Sequence, residues 1–123
     1  SIDVATVRAR AGSPVNRVFV LFGEHSRELI SPESGIHLLR VLCGHASAKS
    51  ARGAAETLRD SEFQLVLNGN PRSRLAVERG SFCTRASPSG VDLNRNWDDK
   101  WDGAGTFMQS TNPGPYPFSE PET

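Results

Sequence analysis

Two short runs rich in β-branched and aromatic residues, Val18-Phe19-Val20-Leu21-Phe22 and Phe63-Gln64-Leu65-Val66-Leu67, constrain this chain most. Each has the length and composition of a buried strand, and each stops at a polar cluster. The first run is apolar throughout, the pattern of a strand covered on both faces. Between them, Ser31-Pro32-Glu33 opens a predicted helix, with serine as N-cap and proline at the first helical position. Ile36, Leu39, Val41, Leu42 and Cys43 supply its apolar face, and His37 and His45 are expected to ride on it. The stretch from Gly44 to Gly53 is small and polar, and Ala54 to Arg59 reads as a further helical turn or two. Upstream, Ile2 to Arg10 alternates apolar and polar residues, a strand pattern ending at the turn Gly12-Ser13-Pro14. Strand, helix and strand with long loops at the strand ends predict an α/β layered domain. Its sites are expected outside the carboxyl ends of the strands.

Two polar clusters occupy such loops. Gly23-Glu24-His25-Ser26-Arg27-Glu28 offers an imidazole and a carboxylate three residues apart, which in a turn can converge on one zinc ion. Gly90-Val91-Asp92-Leu93-Asn94-Arg95-Asn96-Trp97-Asp98 supplies an acid, an amide and a guanidinium within four residues. His25-x-x-Glu28 alone is a weak signature, because so short a pair recurs by chance. Its position just past a buried strand, followed by the second cluster, gives it weight.

Composition narrows the remaining classes. With 123 residues, 37% of them hydrophobic, and no apolar run long enough to span a bilayer, the chain reads as one globular unit without a membrane span. Lys and Arg number 14, as do Asp and Glu, so there is no broad electrostatic case for nucleic acid or anionic lipid. Arg72, Arg74 and Arg79 lack the interleaved aromatics of an RNA-binding face. Cys43 and Cys83 are too few for a disulfide framework and too far apart for a redox pair, which leaves the compartment open. His37 and His45 have no acid or cysteine at ligand spacing. Asp98, Asp99 and Asp102 lack the alternating oxygens and final glutamate of a calcium loop. From Asn70 to Gly90 the chain reads as a polar loop with at most one short strand, and from Asp98 to Pro117 as glycine- and proline-rich loop. Ser119-Glu120-Pro121-Glu122 has the form of a helix start, which predicts a helix beyond Thr123 and hence a chain cut within a domain.

The residues resemble the zinc metallocarboxypeptidases of the carboxypeptidase A and B type, whose first ligand motif is His-x-Arg-Glu. Here it is His25-Ser26-Arg27-Glu28. The resemblance continues at Asn70-Pro71, at Arg85 five residues before Gly90, through Gly90 to Asp98, and at Pro117 to Thr123. At Arg72-Ser73 the chain departs from the family, which there has an acid or amide followed by glycine. The resemblance implies a three-layer α/β/α fold with a mixed, mostly parallel central sheet, of which residues 1–123 would be the N-terminal part. It implies one Zn2+, held by His25 and Glu28, and a protein that hydrolyses the C-terminal residue of peptides by metal-activated water. Asp92 would orient His25 through its other ring nitrogen, as metal-bound histidines require. Asn94 and Arg95 would clamp the terminal carboxylate of a peptide or protein substrate, Arg95 by its rigid two-pronged donor. Arg27 would line a peptide subsite, and Arg85 would face the developing oxyanion. The family's third zinc ligand, a histidine, its catalytic glutamate and its substrate-covering tyrosine are expected after Thr123. Two other classes stay open: an inactive relative that binds peptide C-termini, and a truncated piece that docks on a partner or self-associates through an uncovered sheet edge.

Overall fold

A computed structural model describes residues 1–9, 13–103 and 111–123. The expected strand end at Arg10 and the Gly12 corner of its turn lie outside the described residues, as does 104–110 of the expected loop from Asp98 to Pro117. The elements run β1 (Val4–Val7), β2 (Asn16–Leu21), α1 (Ile30–Leu42), α2 (Ala48–Thr57), β3 (Ser61–Val66) and α3 (Pro71–Glu78), with a single 3-10 turn at Leu93–Arg95. The fold is α/β with a mixed sheet, as expected. Two compact units divide the chain: one holds residues 3–22 and 30–68, the other residues 23–29 and 69–123.

The first unit is a three-stranded sheet with two helices. The strand order is β1-β3-β2, with β1 antiparallel and β2 parallel to β3. In the register, Leu65 lies between Ala5 and Val20, and Gln64 between Thr6 and Phe19. Because side chains alternate across a strand, these two rows face opposite ways. Leu65 is fully buried, whereas Phe19 is 60% exposed. The expectation that the Val18 to Phe22 run is covered on both faces is therefore corrected within this unit. Among the described residues β2 pairs with β3 alone, and its Phe19 is exposed.

Helix α1 packs against β1 and β3. It begins at Ile30, so Ser31 lies in its first turn and is not the N-cap. It ends at Leu42 through Gly44 in the left-handed region, φ +75°. There the Gly44 amide donates to Val41 O at 2.9 Å and the His45 amide to Arg40 O at 2.7 Å, the paired bonds of a glycine-terminated helix. His45 thus lies past the helix, not on it beside His37, and both are exposed. Of the expected apolar face, Leu42 is buried while Ile36 and Cys43 are exposed. Helix α2 starts earlier than expected, at Ala48, because Ser47 caps it: its hydroxyl accepts from the Ser50 amide at 3.1 Å.

In the second unit the expected Asn70 to Gly90 loop contains a helix, α3. Asn70 is its N-cap, accepting from the Ser73 amide at 3.4 Å, and Pro71 takes the first helical position, where its missing N–H is not needed. An Arg74–Glu78 pair at 2.8 Å, one turn apart, adds to it. Residues 121 and 122 form a turn, closed by the Thr123 amide donating to Glu120 O at 3.2 Å, and the helix expected beyond Thr123 lies outside the described residues. Ser119 Oγ accepts from Asn96 Nδ2 at 2.9 Å, and the Glu120 carboxylate accepts from the hydroxyls of Ser87, at 2.9 Å, and Ser89.

Candidate functional site

β2 delivers the chain to Gly23, whose φ of +69° lets the backbone turn sharply away from the strand direction. His25, Ser26, Arg27 and Glu28 follow in that turn. His25 and Ser26 are buried, and Arg27 and Glu28 are exposed. The turn is held from within its own unit. Ser26 Oγ donates to Thr84 O at 2.8 Å and the Ser26 amide to Arg85 O at 3.4 Å. Asn70 Nδ2 donates to Ala86 O at 3.1 Å and Glu24 O at 3.4 Å, and Trp97 Nε1 donates to the Glu24 carboxylate at 2.7 Å.

Asp92 lies at the centre. It is fully buried and both its oxygens are engaged. Oδ1 is 3.1 Å from His25 Nε2 and also accepts from the Asn94 amide at 3.1 Å, which caps the 3-10 turn. Oδ2 accepts from Arg85 Nε at 3.0 Å. A buried carboxylate must be charge-paired and fully hydrogen-bonded, and these contacts satisfy both requirements. On the other edge of the imidazole, His25 Nδ1 is 2.9 Å from Glu28 Oε1. Arg85 Nη1 stands 3.6 Å from that same oxygen.

Four of the predicted residues are thus brought together: His25, Glu28, Arg85 and Asp92. The other three are exposed: Arg27 in the turn, and Asn94 and Arg95 on the 3-10 turn, where Arg95 Nη1 donates to Asn94 O at 2.8 Å. Asn94 and Arg95 border a pocket of about 380 Å³ with Trp97, Asp99, Lys100 and Asp102. Trp97 meets Phe118 edge to face, with ring centres 5.9 Å apart.

The donor chemistry fits zinc in part. With Nε2 turned to a buried carboxylate, Nδ1 and Glu28 Oε1 form a nitrogen and oxygen pair on one side of the imidazole, two of the three protein donors a catalytic zinc uses. Among the described residues, no group of three or more His, Cys, Asp or Glu side chains is placed to hold a metal.

Sequence reasoning assigned no role to Glu24, Ser26, Asn70 or Asn96. Asn96 is fully buried: its amide nitrogen donates to Pro113 O at 2.8 Å, and its oxygen accepts from the Glu120 amide at 3.1 Å. Asn70 carried a usable signal, since Asn-Pro is a strong cap and first-turn pair. Bonds from a side chain to distant backbone carbonyls have no residue-type signature.

A protein-family description, zinc carboxypeptidase, matches residues 1–123. Among solved structures, thrombin activatable fibrinolysis inhibitor is similar with a TM-score of 0.85 at 24% identity, over 98% of this chain and 33% of that one. The bovine form of that protein, in complex with tick carboxypeptidase inhibitor, gives 0.77 at 24% identity over 98% of this chain and 41% of its own. Carboxypeptidase A from Helicoverpa armigera gives 0.79 at 20% identity, over 98% and 32%. The chain therefore spans about a third to two fifths of these structures, and at such identities the likeness is one of fold.

Proposed function

The chain belongs to the zinc carboxypeptidase family, and from that premise we propose that it forms part of an enzyme removing C-terminal residues from peptides. The observation that carries this reading is the buried Asp92 holding His25 Nε2, with Nδ1 turned toward Glu28. A histidine bonded in this way through one ring nitrogen has its tautomer and ring plane fixed for metal binding through the other.

His25 and Glu28 would hold the zinc, with a third ligand from outside the described residues. When bound, zinc supplies Lewis-acid activation of water and of the substrate carbonyl. This chain's own residues account for the rest. Asp92 keeps the imidazole oriented and balances Arg85. Arg85, anchored through Nε, directs a fixed positive charge at the place where negative charge develops on the substrate carbonyl oxygen, where a preorganised charge contributes most. Arg95 and Asn94 bind the substrate's terminal carboxylate beside the 380 Å³ pocket, and Arg27 borders a subsite farther along the peptide.

The test is the zinc content and C-terminal hydrolysis of the full-length protein against His25→Ala and Glu28→Ala. Each variant is expected to lose most of its zinc and its activity. Wild-type zinc occupancy in both would overturn the ligand assignment. Zinc binding and peptide binding without hydrolysis in the wild type would favour the inactive relative.

A further inference from the structure

We infer that Asn70 is a positioning residue, whose single side-chain amide sets the spacing between the backbone carrying His25 and the backbone carrying Arg85; this rests on the proposed roles of those two groups. Asn70 is fully buried. Its Nδ2 donates to the carbonyl of Glu24, directly before His25, at 3.4 Å, and to the carbonyl of Ala86, directly after Arg85, at 3.1 Å. Ser26, next to His25 on the first stretch, ties it directly to the second, amide to Arg85 O and hydroxyl to Thr84 O. The peptide units flanking both groups are thus tied through a few fixed bonds, and Asn70 joins the two segments from outside them.

The chemistry requires an amide. Asn70 Oδ1 accepts from the Ser73 amide to cap α3, while Nδ2 donates to two carbonyls. Aspartate would cap the helix as well as asparagine does. It would also set a carboxylate oxygen against the carbonyl oxygens of Glu24 and Ala86, replacing two hydrogen bonds of a fully buried side chain by repulsion. A residue present only as a helix cap would tolerate that change.

The experiment compares the zinc-loaded full-length protein with Asn70→Asp and Asn70→Ser. It measures the zinc dissociation constant by chelator competition, the visible spectrum after cobalt replacement, and kcat and KM on a peptide with a free C-terminus. Asn70→Asp is expected to weaken zinc binding about 10-fold or more, in the range seen for groups that support metal ligands. It should also shift the cobalt bands and lower kcat more than it raises KM. Asn70→Ser, which keeps a capping oxygen and loses the bridging amide, should change all three in the same direction by less. Wild-type zinc affinity, cobalt spectrum and kcat in Asn70→Asp would overturn the inference. If Asn70→Asp does not fold, the same three readings on Asn70→Ser decide. His25→Ala is measured alongside: unchanged zinc affinity there overturns the ligand reading, whereas loss there with unchanged Asn70 variants overturns only the role of Asn70.

Discussion

Asp92 is the residue on which most of the proposed chemistry depends, because one buried carboxylate serves an imidazole, a guanidinium and a backbone amide. Asp92→Asn keeps its shape and loses its charge. Arg85 then faces a neutral group, and His25 loses a strong acceptor. Zinc affinity or activity is expected to fall about 10–100-fold, less than on loss of His25 itself. Chelator competition checks the first and peptide hydrolysis the second; wild-type values of both would remove Asp92 from the site. Arg95 makes a different demand. Its planar fork suits a carboxylate, and a lysine point charge cannot reproduce two parallel hydrogen bonds. Arg95→Lys should therefore impair cleavage of a peptide with a free C-terminus. A C-terminally amidated peptide should be a poor substrate for the wild type, and equal cleavage of both peptides by the wild type would refute the clamp.

At the scale of elements, the two helices of the first unit give opposite predictions for one kind of change. Gly53 lies inside α2 with nothing within 4 Å of where a Cβ would stand, so Gly53→Ala should stabilise by about 0.5–1 kcal/mol. Gly35 on α1 would set its Cβ 2.7 Å from the Phe22 ring, so Gly35→Ala should destabilise by about 1–3 kcal/mol through overpacking. Thermal unfolding of the two variants reads both signs. The elements also show what composition can and cannot convey. β2 and β3 were legible because β-branched and aromatic runs have few other uses, and His25, Glu28 and Asp92 because they fall in dense polar motifs, whereas Arg85 was marked only by its spacing from Gly90 in the family resemblance. Helix α3 was not legible: Arg72, Ser73 and Arg74 give it no apolar periodicity, and its start is defined by Asn70 and Pro71 alone.

For the whole molecule, the described residues offer two proposed zinc donors, fewer than the three a catalytic site uses. Residues 1–123 in isolation with added zinc are therefore expected to show no C-terminal hydrolysis, and any zinc they bind should be stripped readily by a chelator. Turnover that disappears with His25→Ala would contradict this. The second unit is built from two stretches of chain, 23–29 and 69–123, with residues 30–68 of the first unit between them. His25 and Asp92 are 67 positions apart. Contacts of that sequence separation require a large loop to close first, which slows their formation relative to helices and local turns. During synthesis, then, His25 emerges long before the carboxylate that orients it. Until Asp92 follows, the ring has only its neighbour Glu28 to hold it, so the proposed site gains the buried acceptor for Nε2 only once the later segment has closed over it.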